Sequence, residues 1–180
     1  MAKRAARLVL IDRDGVINRD SAGYIKSVAE WQPLPGSLEA LADLTRAGFA
    51  VAVVTNQSGI GRGFFTEQTL AAIHETMRAS VEAAGGRIAG VFHCPHRPDE
   101  GCDCRKPRPG LLHQAAESLG LAVAGAPFIG DKASDVEAAR AAGARPILVG
   151  TAAPDPVTVG IERYADLAAA ARQLIGEAGD

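Results

Sequence analysis

Residues 7–16 run RLVLIDRDGV: a short, almost wholly apolar run, RLVLI, stops abruptly at an Asp-Arg-Asp-Gly quartet. Unbroken apolar runs of this length fit strands that are buried on both faces. Four further runs repeat the pattern: AVAVV (50–54), GVFH (90–93), PFIG (127–130) and PILVG (146–150). Between and after them lie amphipathic stretches at roughly 36–47, 66–84, 109–119, 133–142 and 164–177. Pro35 and Gly36 open the first stretch and Thr66 opens the second, while Gly48, Gly85, Gly120 and Gly143 stand where helices end. Strand and helix in alternation predict an α/β fold, a doubly wound and mostly parallel sheet flanked by helices.

Two segments break the alternation. Residues 12–35 and 94–108 are rich in polar and turn residues, the second with three prolines, and each follows a strand. In an open parallel sheet, ligands bind beyond the carboxyl ends of the strands, so these loops are where function is sought. With 180 residues, the chain has the length of one domain and no long insert between its motifs. It is therefore read as a single domain over 1–180, with the loop 94–108 inserted after the third strand. The segment 151–163 reads as a plain connection and the basic start, MAKRAAR, as a tail.

Composition excludes several classes. A net charge of -2 offers no bulk attraction to nucleic acid or anionic lipid, and 4% aromatic residues leave no base-stacking platform. At 47% hydrophobic and 22% charged the chain reads as globular, with no apolar run long enough to span a bilayer. No secretory signal is visible, because the apolar run after the basic start ends at Asp12. A cytoplasmic location follows. The three cysteines, Cys94, Cys102 and Cys104, fall within eleven residues. In a reducing compartment such a cluster suits metal better than disulfides.

The strand ends carry the chemistry. Asp12 and Asp14 follow the first strand, Thr55-Asn56-Gln57-Ser58 the second, and Asp131 and Lys132 the fourth, with Asp135 beyond; Lys106 lies in the loop after the third. Three carboxylates, a hydroxyl and an amine thus converge on one edge. Asp12 and Asp14 are two apart, so in extended chain both face one substrate. An ionised carboxylate approaches a phosphoryl group only when repulsion is cancelled, which calls for a hard cation; oxygen ligands from Asp12 and Asp131 suit Mg2+. Thr55 and Lys106 then hold phosphoryl oxygens, and Asp14 protonates the leaving oxygen and later accepts a proton from water. In the loop, three thiolates and one imidazole, from His96 or His93, fill a tetrahedral Zn2+ shell with no open position, so the zinc is structural. It would hold the loop so that Arg105 and Lys106 point at the phosphate.

DRDGV, VVTNQSG with Thr55, CRKPRPG with Lys106, and GDKASD, in this order, resemble the four motifs of haloacid dehalogenase-type phosphohydrolases and cover nearly the whole chain. Within that superfamily, TNQSGIGRG with CPH, CDCRKPRPG and GDK is similar to the heptose-1,7-bisphosphate 7-phosphatases and the related histidinol-phosphate phosphatases. The resemblance implies a capless phosphatase that acts on a small phosphorylated sugar and serves lipopolysaccharide core or nucleotide-heptose precursor synthesis. It implies Asp12 as nucleophile through an aspartyl-phosphate, Asp14 as acid and base, and Thr55 and Lys106 as phosphoryl stabilisers. Magnesium would sit on Asp12, the Asp14 backbone carbonyl and Asp131, and zinc on Cys94, His96, Cys102 and Cys104. Asp20, Gly23, Tyr24, Asn56, Gln57, Ser58, Arg105 and Lys132 would contact substrate, while the DSAGY segment is one residue longer than the family pattern and leaves Ser21 and Ala22 unassigned.

A receiver-like phosphoacceptor also places aspartates, a Thr and a Lys at sheet ends, but its acceptor follows the third strand, where this chain has cysteines. His74 and His113 read as solvated or helix-face residues and not as metal ligands, Trp31 as packing for the first loop or else a lid, and Arg62 as an anion contact or a solvated loop residue. No association segment stands out, and a monomer is expected.

Overall fold

The computed structural model describes residues 6–151, 153 and 155–179, so the tail assigned to the first residues lies mostly outside the described chain. Six strands form one sheet: β1 (Arg7–Ile11), β2 (Phe49–Asn56), β3 (Ile88–Cys94), β4 (Pro127–Gly130), β5 (Arg145–Val149) and β6 (Glu162–Tyr164). Their order is β3-β2-β1-β4-β5-β6 and every pairing is parallel. From β1 the chain steps outward through β2 to β3, then returns to β4 on the other side of β1. The winding therefore reverses between β1 and β4, and the loops that follow them diverge to open a crevice.

Side-chain alternation sorts the strands onto two cores. Val9, Ile11, Val51 and Val53 face one side, where they pack with residues of α1 (Ser37–Arg46), α2 (Glu67–Ala83) and α5 (Leu167–Gly179). Leu8, Leu10, Ala52 and Val54 face the other, against α3 (Gly110–Leu119) and α4 (Ala133–Ala142). Both faces are thus covered, which is why the strand sequences are continuously apolar. The helix ends follow the chemistry read from sequence. The Thr66 hydroxyl accepts the Thr69 N–H at 3.1 Å, and Gly143 closes α4 at φ 72°, a backbone region in which residues with a Cβ are strained.

The structure departs from expectation at β6. Only three residues long, it straddles the end of the segment read as a connection and the start of the last amphipathic stretch, at the sheet edge beside β5. It carries no apolar run, being held instead by Arg145, which donates to both Glu162 and Glu177. The loop after β1 is ordered by the core as well as by hydrogen bonds. Ile17, Ile25 and Trp31 are buried in the α1 side of the sheet, and the Ser37 hydroxyl donates to the Ile17 carbonyl at 2.7 Å. Trp31 is therefore packing, as read. Among the described residues no helix is long and apolar enough to cross a membrane.

Candidate active site

Sheet register brings the carboxylates together. Ile11 is paired with Val53 of β2 and Ile129 of β4, so Asp12 leaves β1 level with the ends of both neighbours. Its backbone N–H still donates to the Ile129 carbonyl at 2.9 Å. Beyond it the chain turns instead of running on as a strand, with the Ile17 N–H returned to the Arg13 carbonyl at 2.8 Å. Asp12 and Asp14 both line a cavity of about 500 Å³ at this crevice, although a turn and not a pleat puts them there.

Lys106 reaches the same point from the opposite side. Its Nζ lies 2.9 Å from Asp12 Oδ1 and 2.7 Å from Asp135 Oδ1, and it donates to the Val54 carbonyl at 3.0 Å. All three side chains are almost wholly buried: Asp12 is 5%, Lys106 3% and Asp135 3% exposed. Burial alone would lower the Lys106 pKa, but the two carboxylates outweigh it and hold the amine charged. Asp12 has the opposite balance. Burial pushes its carboxyl up to about 8 despite the attraction of Lys106.

Asp135, which in sequence merely follows the fourth strand, completes the cluster. Its Oδ2 accepts the backbone N–H groups of Asp131 and Lys132 at 3.2 and 3.1 Å, so one carboxylate both caps α4 and pairs the buried amine. Its spacing four residues after Asp131 was the available signal. Asp131 is raised to about 6, chiefly by burial, and its Oδ1 is buried without a hydrogen-bond partner. Gly15, at φ 85°, lies so near that a Cβ would stand 2.2 Å from Asp131 Oδ2. One oxygen from each of Asp12, Asp131 and Asp135 lies within 4.8 Å of the others. A donor set made only of oxygens, including one orphaned buried oxygen, fits a hard divalent cation.

Asp14 is gripped on several sides. Arg13, fully buried, donates through Nε to Oδ1 at 3.0 Å and through Nη2 to Oδ2 at 3.1 Å; Asn18 and Gln57 add bonds of 2.9 and 2.8 Å. Gln57 also donates to the Thr55 hydroxyl at 2.9 Å, which ties the β2 end to Asp14. Asn56 turns its amide elsewhere: it accepts the Lys106 N–H at 3.1 Å and donates to the Lys106 carbonyl at 3.0 Å. It thus clamps the Lys106 backbone, a job not visible in the sequence.

At the mouth, Lys132 donates to Asp20 at 2.8 Å, and the Tyr24 and Ser58 hydroxyls lie 3.4 Å apart. Arg105 lines the cavity too, as do Ser21 and Ala22. Gly23 stands between Ala22 and Tyr24 in this wall, its N–H and carbonyl engaged by Ser21 and Lys26.

The cysteine loop closes on itself beside this cavity. Cys94 Sγ lies 3.5 Å from His96 Nδ1 and 3.6 Å from Cys102 Sγ, and Cys104 Sγ is 3.3 Å from His96 Nδ1. Zinc bonded at about 2.3 Å to sulfur and about 2.0 Å to nitrogen would set the edges of a tetrahedron near 3.5–3.8 Å, so these four donors fit it. His93, the other candidate, is excluded from the cluster, since its Nε2 lies 2.8 Å from Glu67 Oε2. Of the two alternatives, His113 takes the solvated one, while His74 is a buried helix-face residue bonded to Arg13. It shares a buried stripe with Leu70, Ile73, Met77 and Val81, the spacing of which was visible in the sequence.

The HAD-hydrolase-like family pattern matches residues 103–172. Over 176 residues, covering 94% of this chain and 99% of the relative, the chain is 50% identical to the D-glycero-beta-D-manno-heptose-1,7-bisphosphate 7-phosphatase of Pseudomonas putida. The chain belongs to the heptose-1,7-bisphosphate 7-phosphatase family. Another heptose-1,7-bisphosphate 7-phosphatase, that of Bordetella bronchiseptica, is 45% identical over 96% of this chain and 99% of its own. A crystal structure of the heptose bisphosphate phosphatase from B. bronchiseptica, complexed with magnesium and phosphate, superimposes with a TM-score of 0.90 over 95% of this chain and 99% of that one. The heptose bisphosphate phosphatase of Burkholderia thailandensis, 38% identical, gives 0.69 over 94% and 98%. Membership of this family also disposes of the receiver-like alternative.

Proposed function

We propose that the protein hydrolyses the 7-phosphate of D-glycero-β-D-manno-heptose 1,7-bisphosphate through an aspartyl-phosphate on Asp12, as a step toward nucleotide-activated heptose for lipopolysaccharide core. The observation that carries this reading is the buried Asp12–Lys106–Asp135 cluster beside Asp131 on the floor of an open cavity. The names of the relatives supply the sugar and its β anomer. Asp12 and Asp131, with the Asp14 backbone carbonyl, would hold magnesium, which the B. bronchiseptica relative carries together with phosphate. When bound, that ion neutralises charge on the phosphoryl group and on the two carboxylates.

The chain's own residues then divide the work. An Asp12 carboxylate oxygen attacks phosphorus; the bond from phosphorus to the sugar O7 breaks, and Asp14 gives that oxygen a proton. Water next attacks the acyl phosphate, with its proton taken by Asp14, and inorganic phosphate leaves. Thr55 and Lys106 hold phosphoryl oxygens, where charge spreads in the transition state. Lys132, Arg105 and Asp20, with Tyr24, Gln57 and Ser58, face the sugar and its second phosphate, and Asn56 serves by fixing Lys106.

The reading takes 1–180 as one phosphatase domain without a cap, its pocket walled by residues 18–35 and 94–108. It takes the protein as a cytoplasmic monomer, with no nucleic-acid or membrane partner. Free cysteines gathered as zinc ligands suit a reducing compartment. Phosphate release with magnesium present, compared as kcat/KM for both heptose bisphosphate anomers and for histidinol phosphate, tests the substrate. The β anomer is expected to lead; preference for histidinol phosphate would overturn the assignment.

Zinc on Cys94, His96, Cys102 and Cys104 would anchor the loop whose next residues are Arg105 and Lys106. Cys102→Ser is expected to lower kcat/KM by about 10- to 100-fold, the usual cost of losing a positioning contact. Activity assays with zinc content measured by mass spectrometry check it. Wild-type turnover and thermal stability in a zinc-free variant would remove that role.

A further inference from the structure

Arg13 is a cation with no exposed surface, the largest of the fully buried side chains. Two arms of its guanidinium are spent on Asp14. The third, Nη1, lies 3.1 Å from His74 Nε2, a contact between residues 61 apart in sequence. A guanidinium only donates, so His74 Nε2 must be the acceptor. The imidazole is therefore neutral, with its proton on Nδ1. Its environment agrees: burial first, and the Arg13 charge second, push the His74 pKa down to about 3. Behind it stands the His93 ring, at 5.9 Å between centroids, whose own Nε2 is engaged by Glu67.

An imidazole in this place is costly unless it does something. The other buried positions of the stripe on α2 are Leu70, Ile73, Met77 and Val81, and an apolar side chain at 74 would pack there equally well. It would, however, strand one arm of a buried cation. We propose that His74 is a positioning residue for the phosphatase reaction: its Nε2 lone pair fixes the third arm of Arg13, so that the two-armed fork holds the Asp14 carboxylate in one orientation toward the leaving oxygen. This rests on the reading of Asp14 as acid and base. A carboxylate that must give and take a proton at a defined atom loses rate when its orientation blurs, even while substrate still binds.

Two substitutions separate this role from packing. In His74→Gln the amide oxygen stands near the place of Nε2 and still accepts from Arg13, whereas His74→Leu keeps the bulk and removes the acceptor. His74→Leu is expected to lower kcat by about 10- to 100-fold with KM little changed, while His74→Gln stays close to wild type. Turnover is read on heptose bisphosphate and, independently of the sugar, on p-nitrophenyl phosphate. Nitrogen-15 NMR of the wild-type protein reports the tautomer, with Nε2 expected to be unprotonated. A wild-type rate in His74→Leu, an equal loss in both variants, or a proton on Nε2 would each overturn the proposal. If His74→Leu does not fold, the His74→Gln rate and the tautomer decide it alone. Asp14→Asn keeps the two failures apart: wild-type turnover in that variant removes the acid–base reading itself, whatever His74 does.

Discussion

Asp12→Asn should reduce phosphate release by about 10⁴-fold or more, the scale of loss when a nucleophile is removed from a covalent mechanism. The amide is nearly isosteric and its oxygen still accepts from Lys106 Nζ, now 2.9 Å from Asp12 Oδ1, so the fold should survive. What goes is the nucleophile, together with one charged oxygen ligand for the cation. Single-turnover assays with thermal unfolding curves on the same samples check both halves. Retained activity on heptose bisphosphate and histidinol phosphate alike would mean that no aspartyl-phosphate forms on this residue.

Lys106→Met should damage stability as much as rate. Methionine fills similar space, but the Asp12 and Asp135 carboxylates would then face each other in a region with 5% or less exposure and no cation between them. Removing one partner of a buried ionic group costs about 3–5 kcal/mol. Urea unfolding of the metal-free protein measures it. The sign of the pH dependence follows from Asp12, whose carboxyl is already raised to about 8 in the folded protein and rises further without the amine. A carboxyl with a raised folded pKa destabilises above its unfolded value of about 3.9. The part of the Lys106→Met deficit that comes from Asp12 should therefore open above about pH 8, where the wild-type carboxyl ionises beside its amine and the variant's has no cation to meet. Magnesium, which binds the folded form, should recover part of it. A variant as stable as wild type at pH 7 and above would show that the carboxylates do not depend on this amine.

The sheet was legible because its strands are buried on both faces and so announce themselves as apolar runs; five of the six were read, with ends displaced by a residue or two. β6 was not, since Glu162–Tyr164 is short, charged and held by Arg145 instead of by burial. The carboxylate cluster and the cavity beside it were legible where a residue stands at a strand end, as Asp12, Thr55 and Asp131 do, because parallel register aligns those ends. Residues that act through another residue were hidden. Nothing in the sequence singles out Arg13 or ties it to His74, because the pairing exists only once the turn after Asp12 drives the guanidinium inward against α2. Asn56 lines the cavity, as its place at the end of β2 suggests, but its grip on the Lys106 backbone shows only once the loop after β3 folds back over it.

The site is held by contacts between parts of the chain remote from each other, with 94 residues between Lys106 and Asp12 and 112 between Lys132 and Asp20. Each such contact closes a long loop, and its entropic cost is met only when the intervening strands have docked in order. No partly folded chain can then display a working phosphatase: β4 must be inserted beside β1 before Asp131 and Asp135 meet Asp12 and Lys106. During refolding, the return of catalysis should accordingly lag behind the return of helical signal and coincide with completion of the sheet. Turnover is thus a reporter of the last step of folding, and a nascent chain lacking β4 cannot release phosphate.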